Sequence, residues 1–340
     1  MIEKGWTMVI DCHGHVVAPQ KIWAYRALLL ANRGADGRGK LRISDDEICE
    51  ALHAPDWGTK GLIELLDNHG TDMQLISPRP THLMHSEKPE KIIHWFLEEV
   101  HNIIYRQCQM YPSRFRGVAA LPQSAGQPIE QSLPELRRCV EELGFVGCLL
   151  NPDPYENSGS GEAPPLGDRY WYPLYELLCN LDIPAHIHSS TSRSCRCGYS
   201  EHMINEETIA VLGLLDSDVF ENFPQLKIVL SHGGGAIPYQ LGRFEAASQR
   251  KHGQSFRERL RLLHFDTVLY TSDALELLVK TVGVERCLFA AECPGVGGVI
   301  DPITNRQMDD LKPQFEAMSW LSDIDRNLIF EGNARRLFKL

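Results

Sequence analysis

About eight times along the 340 residues, a short apolar run gives way to a stretch with helical or loop character. The runs fall at 8–15, 73–76, 115–121, 145–150, 183–188, 227–230, 267–270 and 287–291. Several are apolar on both faces, as expected of strands covered by a barrel interior on one side and by helices on the other. Between them lie helical patterns. The clearest is Ile92, Ile93, Phe96, Leu97, Val100, Ile103 and Ile104, and others are expected at 129–143, 172–181 and 207–215. Ser44, Asp45, Asp46 and Glu47 mark a helix start inside an otherwise loop-rich stretch that runs to about Trp57. Alternation of this kind, repeated to eight, constrains the chain to a parallel α/β architecture, a (β/α)8 TIM-like barrel with loop insertions. A doubly wound open sheet is the competing topology, but no G-x-G-x-x-G follows the first strand. With no sharp break in composition, residues 1–340 are read as a single barrel domain, and residues 1–7 as an extension ahead of it.

A formal charge of -11 excludes the clustered positive surface that nucleic acid requires. No apolar run approaches the ~20 residues that span a bilayer, and the N-terminus lacks a secretory pattern. The ten cysteines are scattered, mostly in apolar contexts such as Cys12, Cys139, Cys148, Cys179 and Cys287. They are read as reduced thiols of a cytoplasmic protein. Cys195 and Cys197 are too close together for a zinc ribbon and have no second pair. Trp57, Trp95, Trp171 and Trp320 mark candidate contacts for a homodimer.

The chemistry-bearing residues recur at the C-terminal ends of the runs. His13 and His15 end the first, Arg79 follows the second, and His186 and His188 lie at the end of the fifth. His232 follows the sixth, Asp273 the seventh and Glu292 the eighth. In a parallel barrel these ends converge on one mouth, where such folds place their sites. One strand-end histidine is ordinarily a hydrogen-bonded core or surface residue; three strands ending in histidine, in step with the barrel, are not. Two or three neutral imidazoles with a carboxylate hold a divalent ion and leave a position open. His13 and His15 share a face of their strand, and Gly14 between them allows a close approach. His186 and His188 also share a face, and Pro184 favours His188 as the ligand.

D-x-H-x-H in the first run, P-x-x-x-H in the fifth, S-H-G-G-G in the sixth and F-x-x-E-x-P in the eighth together resemble the amidohydrolase superfamily. The G-N-A-x-R-L-F ending fits as well, so the resemblance spans the chain from Met8 onward. It is strongest to the branch of metal-dependent decarboxylases and hydratases that includes aminocarboxymuconate semialdehyde decarboxylase. Within that branch, Glu292 in place of the usual Asp resembles the 4-oxalomesaconate hydratases. So do the D-C-H-G-H opening, H-S-S-T-S after the fifth run, and I-D-P-I-T with Asp309, Asp310 and Lys312 beyond it.

The resemblance implies one divalent ion, zinc by preference, held by His13, His15, His188 and Glu292, with His232 as a nearby acid or base. Asn151 stands where the superfamily often has a lysine ligand, which favours one metal over two. The implied reaction is addition of water to the C=C of an unsaturated keto polycarboxylate in aromatic-acid catabolism. Decarboxylation of an aromatic or muconate-type acid is the alternative, a lactone or amide hydrolase a third possibility, and a silent metal-binding barrel the reading outside catalysis. Glu292 and His232 are the expected catalytic pair. A substrate with several carboxylates needs fixed cations, of which Arg79 is the first candidate, restricted by Pro78 and Pro80. Arg193 and Tyr199, on the loop after His188, and His186 are further candidate substrate contacts. Arg335, on the closing helix, is better explained by a structural ion pair.

Overall fold

The computed structural model describes residues 8–55 and 60–340; the expected extension at 1–7 and Trp57 lie outside the described residues. Eight parallel strands follow one another in chain order: β1 (Ile10–His15), β2 (Met73–Ser77), β3 (Phe115–Ala120), β4 (Gly147–Leu150), β5 (Ala185–Ile187), β6 (Ile228–Leu230), β7 (His264–Asp266) and β8 (Cys287–Leu288). The Cys12 amide donates to the Phe289 carbonyl at 2.9 Å, bringing the last strand's exit back to the first. This is the expected (β/α)8 arrangement. Almost every strand residue is buried, as runs apolar on both faces require.

The surrounding helices used below are α1 (Gln20–Asn32), α2 (Asp45–His53), α3 (Leu62–His69), α4 (Lys91–Met110), α5 (Leu133–Glu141), α6 (Tyr172–Leu181) and α7 (Tyr199–Leu215). Ser44 caps α2 through a full capping box with Glu47, and α6 occupies the expected span. Two expectations fail. The stretch after β1 is not all loop, because α1 occupies it, burying Ile22, Tyr25 and Leu29 while Leu28 stands exposed. The seventh strand precedes the β-formers Thr267, Val268, Leu269 and Tyr270, so that Asp266 and not Asp273 ends it. Asp273 lies exposed in the first turn of the helix Ser272–Val282. Trp171 is fully buried and is core, not a dimer contact.

Two motif residues are explained by packing. Asp11 Oδ1 accepts from the His13 and Ala291 amides and Oδ2 from Gln74 Nε2, tying β1 to β2 and to the turn after β8. A Cβ at Gly14 would fall 2.3 Å from the Gln74 Cδ, so the close approach expected at Gly14 is made by the Gln74 side chain. At the C-terminus Asn333 Nδ2 donates to the Val284 and Cys287 carbonyls, anchoring the closing helix to β8. Arg335 pairs with Glu331, the structural role expected of it.

Candidate active site

The first strand delivers His13 and His15 with their Nε2 atoms 3.2 Å apart. Each ring is oriented from behind. His13 Nδ1 donates to Asp266 Oδ2 at 2.7 Å, and His15 Nδ1 donates to Ser77 Oγ at 3.0 Å. The Ser77 hydroxyl proton is directed to the Gly14 and Pro78 carbonyls, which leaves Ser77 Oγ to accept. Both Nδ1 protons are thus committed, and two bare Nε2 lone pairs confront each other. His188 repeats the pattern. Its Nδ1 donates to the Ser189 carbonyl at 2.7 Å, and its Nε2 is buried with no partner. One donor atom from each of His13, His15, His188 and Glu292 lies within 4.8 Å of the other three, and all four residues are buried. Confronted lone pairs and an orphaned ring nitrogen beside a carboxylate are unfavourable unless a cation lies between them. The donor set fits a divalent ion.

Burial, followed by its charged neighbours, brings His15 down to about 4 and His188 well below its usual value, so both are neutral imidazoles, as ligands must be. Burial alone would raise Glu292, but the adjoining His15 and His232 rings outweigh it and hold the carboxylate well below its ordinary range. Its two oxygens face different ways. Oε1 lies 3.4 Å from His15 Nε2, while Oε2 accepts from the Tyr270 hydroxyl at 3.1 Å and lies 3.7 Å from His232 Nε2. His232 Nδ1 is bound by both oxygens of buried Glu207, at 2.8 and 2.9 Å. Burial opposes charge on His232, but Glu207 and Glu292 outweigh it and raise its pKa well above the ordinary value. Tyr270, His232 and Glu292 all adopt left-handed backbone conformations, with φ of 58°, 49° and 55°. Such strain concentrates where side chains must be aimed.

A cavity of about 280 Å³ opens beside the cluster, lined by His15, Arg79, Thr81, Tyr199, Glu292 and Val296 among others. Arg79 Nε donates to the Val16 carbonyl at 3.0 Å, which fixes the guanidinium at the wall. Tyr199 begins α7, and burial with Glu292 and Glu207 nearby raises its hydroxyl above the usual range. Two candidate substrate contacts have partners of their own and do not line the cavity, although the His186 ring lies 5.0 Å from that of His13. Arg193 pairs with Glu87 and with Glu156, and His186 Nε2 bonds Asp266 Oδ2 at 3.1 Å. The sequence reading missed Asp266, Glu207, Ser77 and Tyr270. Only Asp266 had a sequence cue, an acid directly after Leu263, His264 and Phe265, and the stronger β-formers after it drew the strand away.

A family model described as amidohydrolase matches residues 10–340. A 2-keto-4-carboxy-3-hexenedioate hydratase of Sphingobium sp. SYK-6 is 36% identical, over 97% of this chain and 96% of its own. The crystal structure of a 4-oxalomesaconate hydratase from Rhodopseudomonas palustris superposes with a TM-score of 0.87 at 35% identity, covering 98% of this chain and 96% of that one. A gamma-resorcylate decarboxylase of Polaromonas sp. JS666 is 29% identical over 82% of this chain and 86% of its own.

Proposed function

The chain belongs to the amidohydrolase family, and on that premise we propose that it is a metal-dependent hydro-lyase. In this reading it adds water across the C=C of an unsaturated keto polycarboxylate, 4-oxalomesaconate or a close relative, in the protocatechuate 4,5-cleavage route of aromatic-acid catabolism. Two hydratases matched over nearly the full chain support the substrate class. The carrying observation is local: the Glu292 carboxylate presents one oxygen to the histidine cluster and the other to an acid, His232, beside a cavity walled by Arg79. His13, His15 and His188 through Nε2, with Glu292, would hold one divalent ion, zinc by its liking for such donors, which when bound supplies Lewis-acid chemistry to a substrate oxygen.

The chain's own residues do the rest. Arg79 binds a substrate carboxylate and so sets the alkene against Glu292. Glu292 Oε2, held by the Tyr270 hydroxyl, takes a proton from water as the water oxygen bonds one alkene carbon. The π pair moves to the neighbouring carbon, and His232 Nε2 gives that carbon its proton. Glu292 then holds one proton and His232 lacks one, so transfer across the 3.7 Å between them restores both groups. No carbon leaves the substrate. The ten cysteines are free, five of them buried, which supports the reducing cytoplasm as the compartment. No helix among the described residues is long and apolar enough to cross a membrane.

The test follows alkene absorbance and carbon dioxide together in metal-loaded protein. The expected result is loss of the alkene with no gas released. In Glu292→Gln and in His232→Asn the rate should fall by about 10²-fold or more, with metal content measured alongside. Stoichiometric carbon dioxide would turn the reading to decarboxylation. Metal-loaded Glu292→Gln working at the wild-type rate would remove Glu292 as the base.

A further inference from the structure

We propose that His69, Cys293 and Asp309 form a second divalent-metal site, separate from the histidine cluster and suited to an ion of the zinc class. One donor atom from each of the three lies within 4.8 Å of the other two. Asp309 is fully buried, Cys293 is 2% exposed and His69 7%. Both carboxylate oxygens of Asp309 are buried without a hydrogen-bond partner. Such orphaned groups are rare in a native interior unless an ion or water joins them.

Arg306, three residues before Asp309, pairs with Asp310 instead. What faces Asp309 Oδ1 is His69 Nε2, at 3.9 Å. Gln307 adds a fourth donor. Its Nε2 donates to the Gly298 carbonyl at 3.2 Å, which turns Oε1 to within 3.0 Å of His69 Nε2. Without an ion that contact is a hydrogen bond from the ring, and a cation replaces its proton. One imidazole nitrogen, one thiolate sulfur and one or two oxygens are donors that zinc accepts in a closed four-coordinate site.

The placement gives the site a purpose. His69 ends α3, Cys293 follows Glu292 directly, and Asp309 precedes the helix Lys312–Ala317. An ion there staples the turn that carries Glu292, and with it the cavity wall at 294–296, to a helix on the barrel's outside. It lies behind the cavity and takes no part in the chemistry. The second site stands whether or not the reaction is a hydration, and sulfur separates the two sites experimentally, because the histidine cluster contains none.

The test uses the full chain, stripped of metal and titrated with Co²⁺. The expected result is two equivalents bound per chain, with a thiolate-to-cobalt charge-transfer band supplied by Cys293. In Cys293→Ser the band should vanish, and in Asp309→Asn binding should fall from two equivalents to one, with circular dichroism reporting the fold. One equivalent without the sulfur band in the wild-type protein overturns the site and leaves those polar atoms to water. A band that survives Cys293→Ser overturns it as well. Should either variant fail to fold, the wild-type spectrum and stoichiometry decide.

Discussion

Glu207 shows how much of a candidate site can rest on a residue that does not line its cavity. In the sequence it follows Glu206 on a helix, where paired acids ordinarily face solvent. In the structure it is fully buried and holds His232 Nδ1 with both oxygens, leaving Nε2 directed at Glu292. Its second effect is electrostatic, since its charge raises the His232 pKa against burial. A proton donor works while it is protonated, so activity should persist below that raised pKa and fall as pH rises through it. Glu207→Gln keeps an acceptor for Nδ1 and removes the charge. The alkaline limb of kcat should therefore move to lower pH. At a fixed pH on that limb the rate should drop roughly tenfold for every pH unit the limb moves, with little change in KM. An unmoved limb in the pH profile would leave Glu207 a packing residue. The contrast with His13, His15, His188, His232 and Glu292 is physical. Those five are legible because strand ends converge whatever the loops do, whereas Glu207, Ser77 and Asp266 acquire meaning only through the ring each one orients.

At the scale of elements, legibility followed the strength of local chemistry. The Ser44 and Glu47 pair predicts α2 because a capping box is satisfied within four residues. The helix α1 was hidden because Trp23, Leu28, Leu29 and Leu30 are spread around it without forming one stripe. Strand β7 slipped because the sheet selected His264, Phe265 and Asp266, whose side chains pair with neighbours far away in sequence, over better intrinsic β-formers next door. A junction of three elements carries a pH prediction. Ala120 of β3 donates its amide to His101 Nε2 of α4 at 3.0 Å, so the ring proton sits on Nδ1 and is given to Glu135 of α5 at 2.7 Å. Arg138 grips both Glu135 oxygens, at 2.7 and 2.8 Å. Burial would raise Glu135, but the Arg138 and His101 bonds outweigh it and bring its pKa from 4.5 to about 2. A depressed carboxylate pKa stabilises the fold above the unfolded value and is lost as pH falls through the folded one. After discounting for solvent at Arg138, Glu135 should contribute about 1–3 kcal/mol near neutrality. Denaturant melts should show Glu135→Gln less stable by that amount at pH 7, with the gap closing between about pH 4.5 and 2. A gap that does not change with pH would mean that packing, not charge, holds the junction.

Across the whole molecule the barrel has one thin seam. Neighbouring strands from β1 to β8 are joined by parallel ladders, but β1 meets the exit of β8 through the Cys12 amide on the Phe289 carbonyl and the Ala291 amide on Asp11 Oδ1. The proposed catalytic metal would draw donors from both sides of that seam, His13 and His15 from β1 and Glu292 from the turn after β8, with His188 reaching in from across the mouth. Three buried imidazoles whose lone pairs oppose one another, beside a buried carboxylate, are tolerated far better with the ion than without it. Binding to the folded chain alone stabilises it by RT ln(1 + [M]/Kd), about 4 kcal/mol at a thousandfold excess over Kd. For a chain of 340 residues the unfolding entropy converts this into a fall of roughly 6 °C in Tm on chelation. Calorimetry with and without chelator should show that fall, and readdition of stoichiometric metal should reverse it. A fall of this size should persist in Cys293→Ser, which disables only the sulfur-containing site, and should be largely lost when His15→Ala is combined with it. Equal melting of chelated and metal-loaded protein would mean that the seam is held by its two backbone amides and the surrounding core, and that the histidine cluster contributes nothing to closing the barrel.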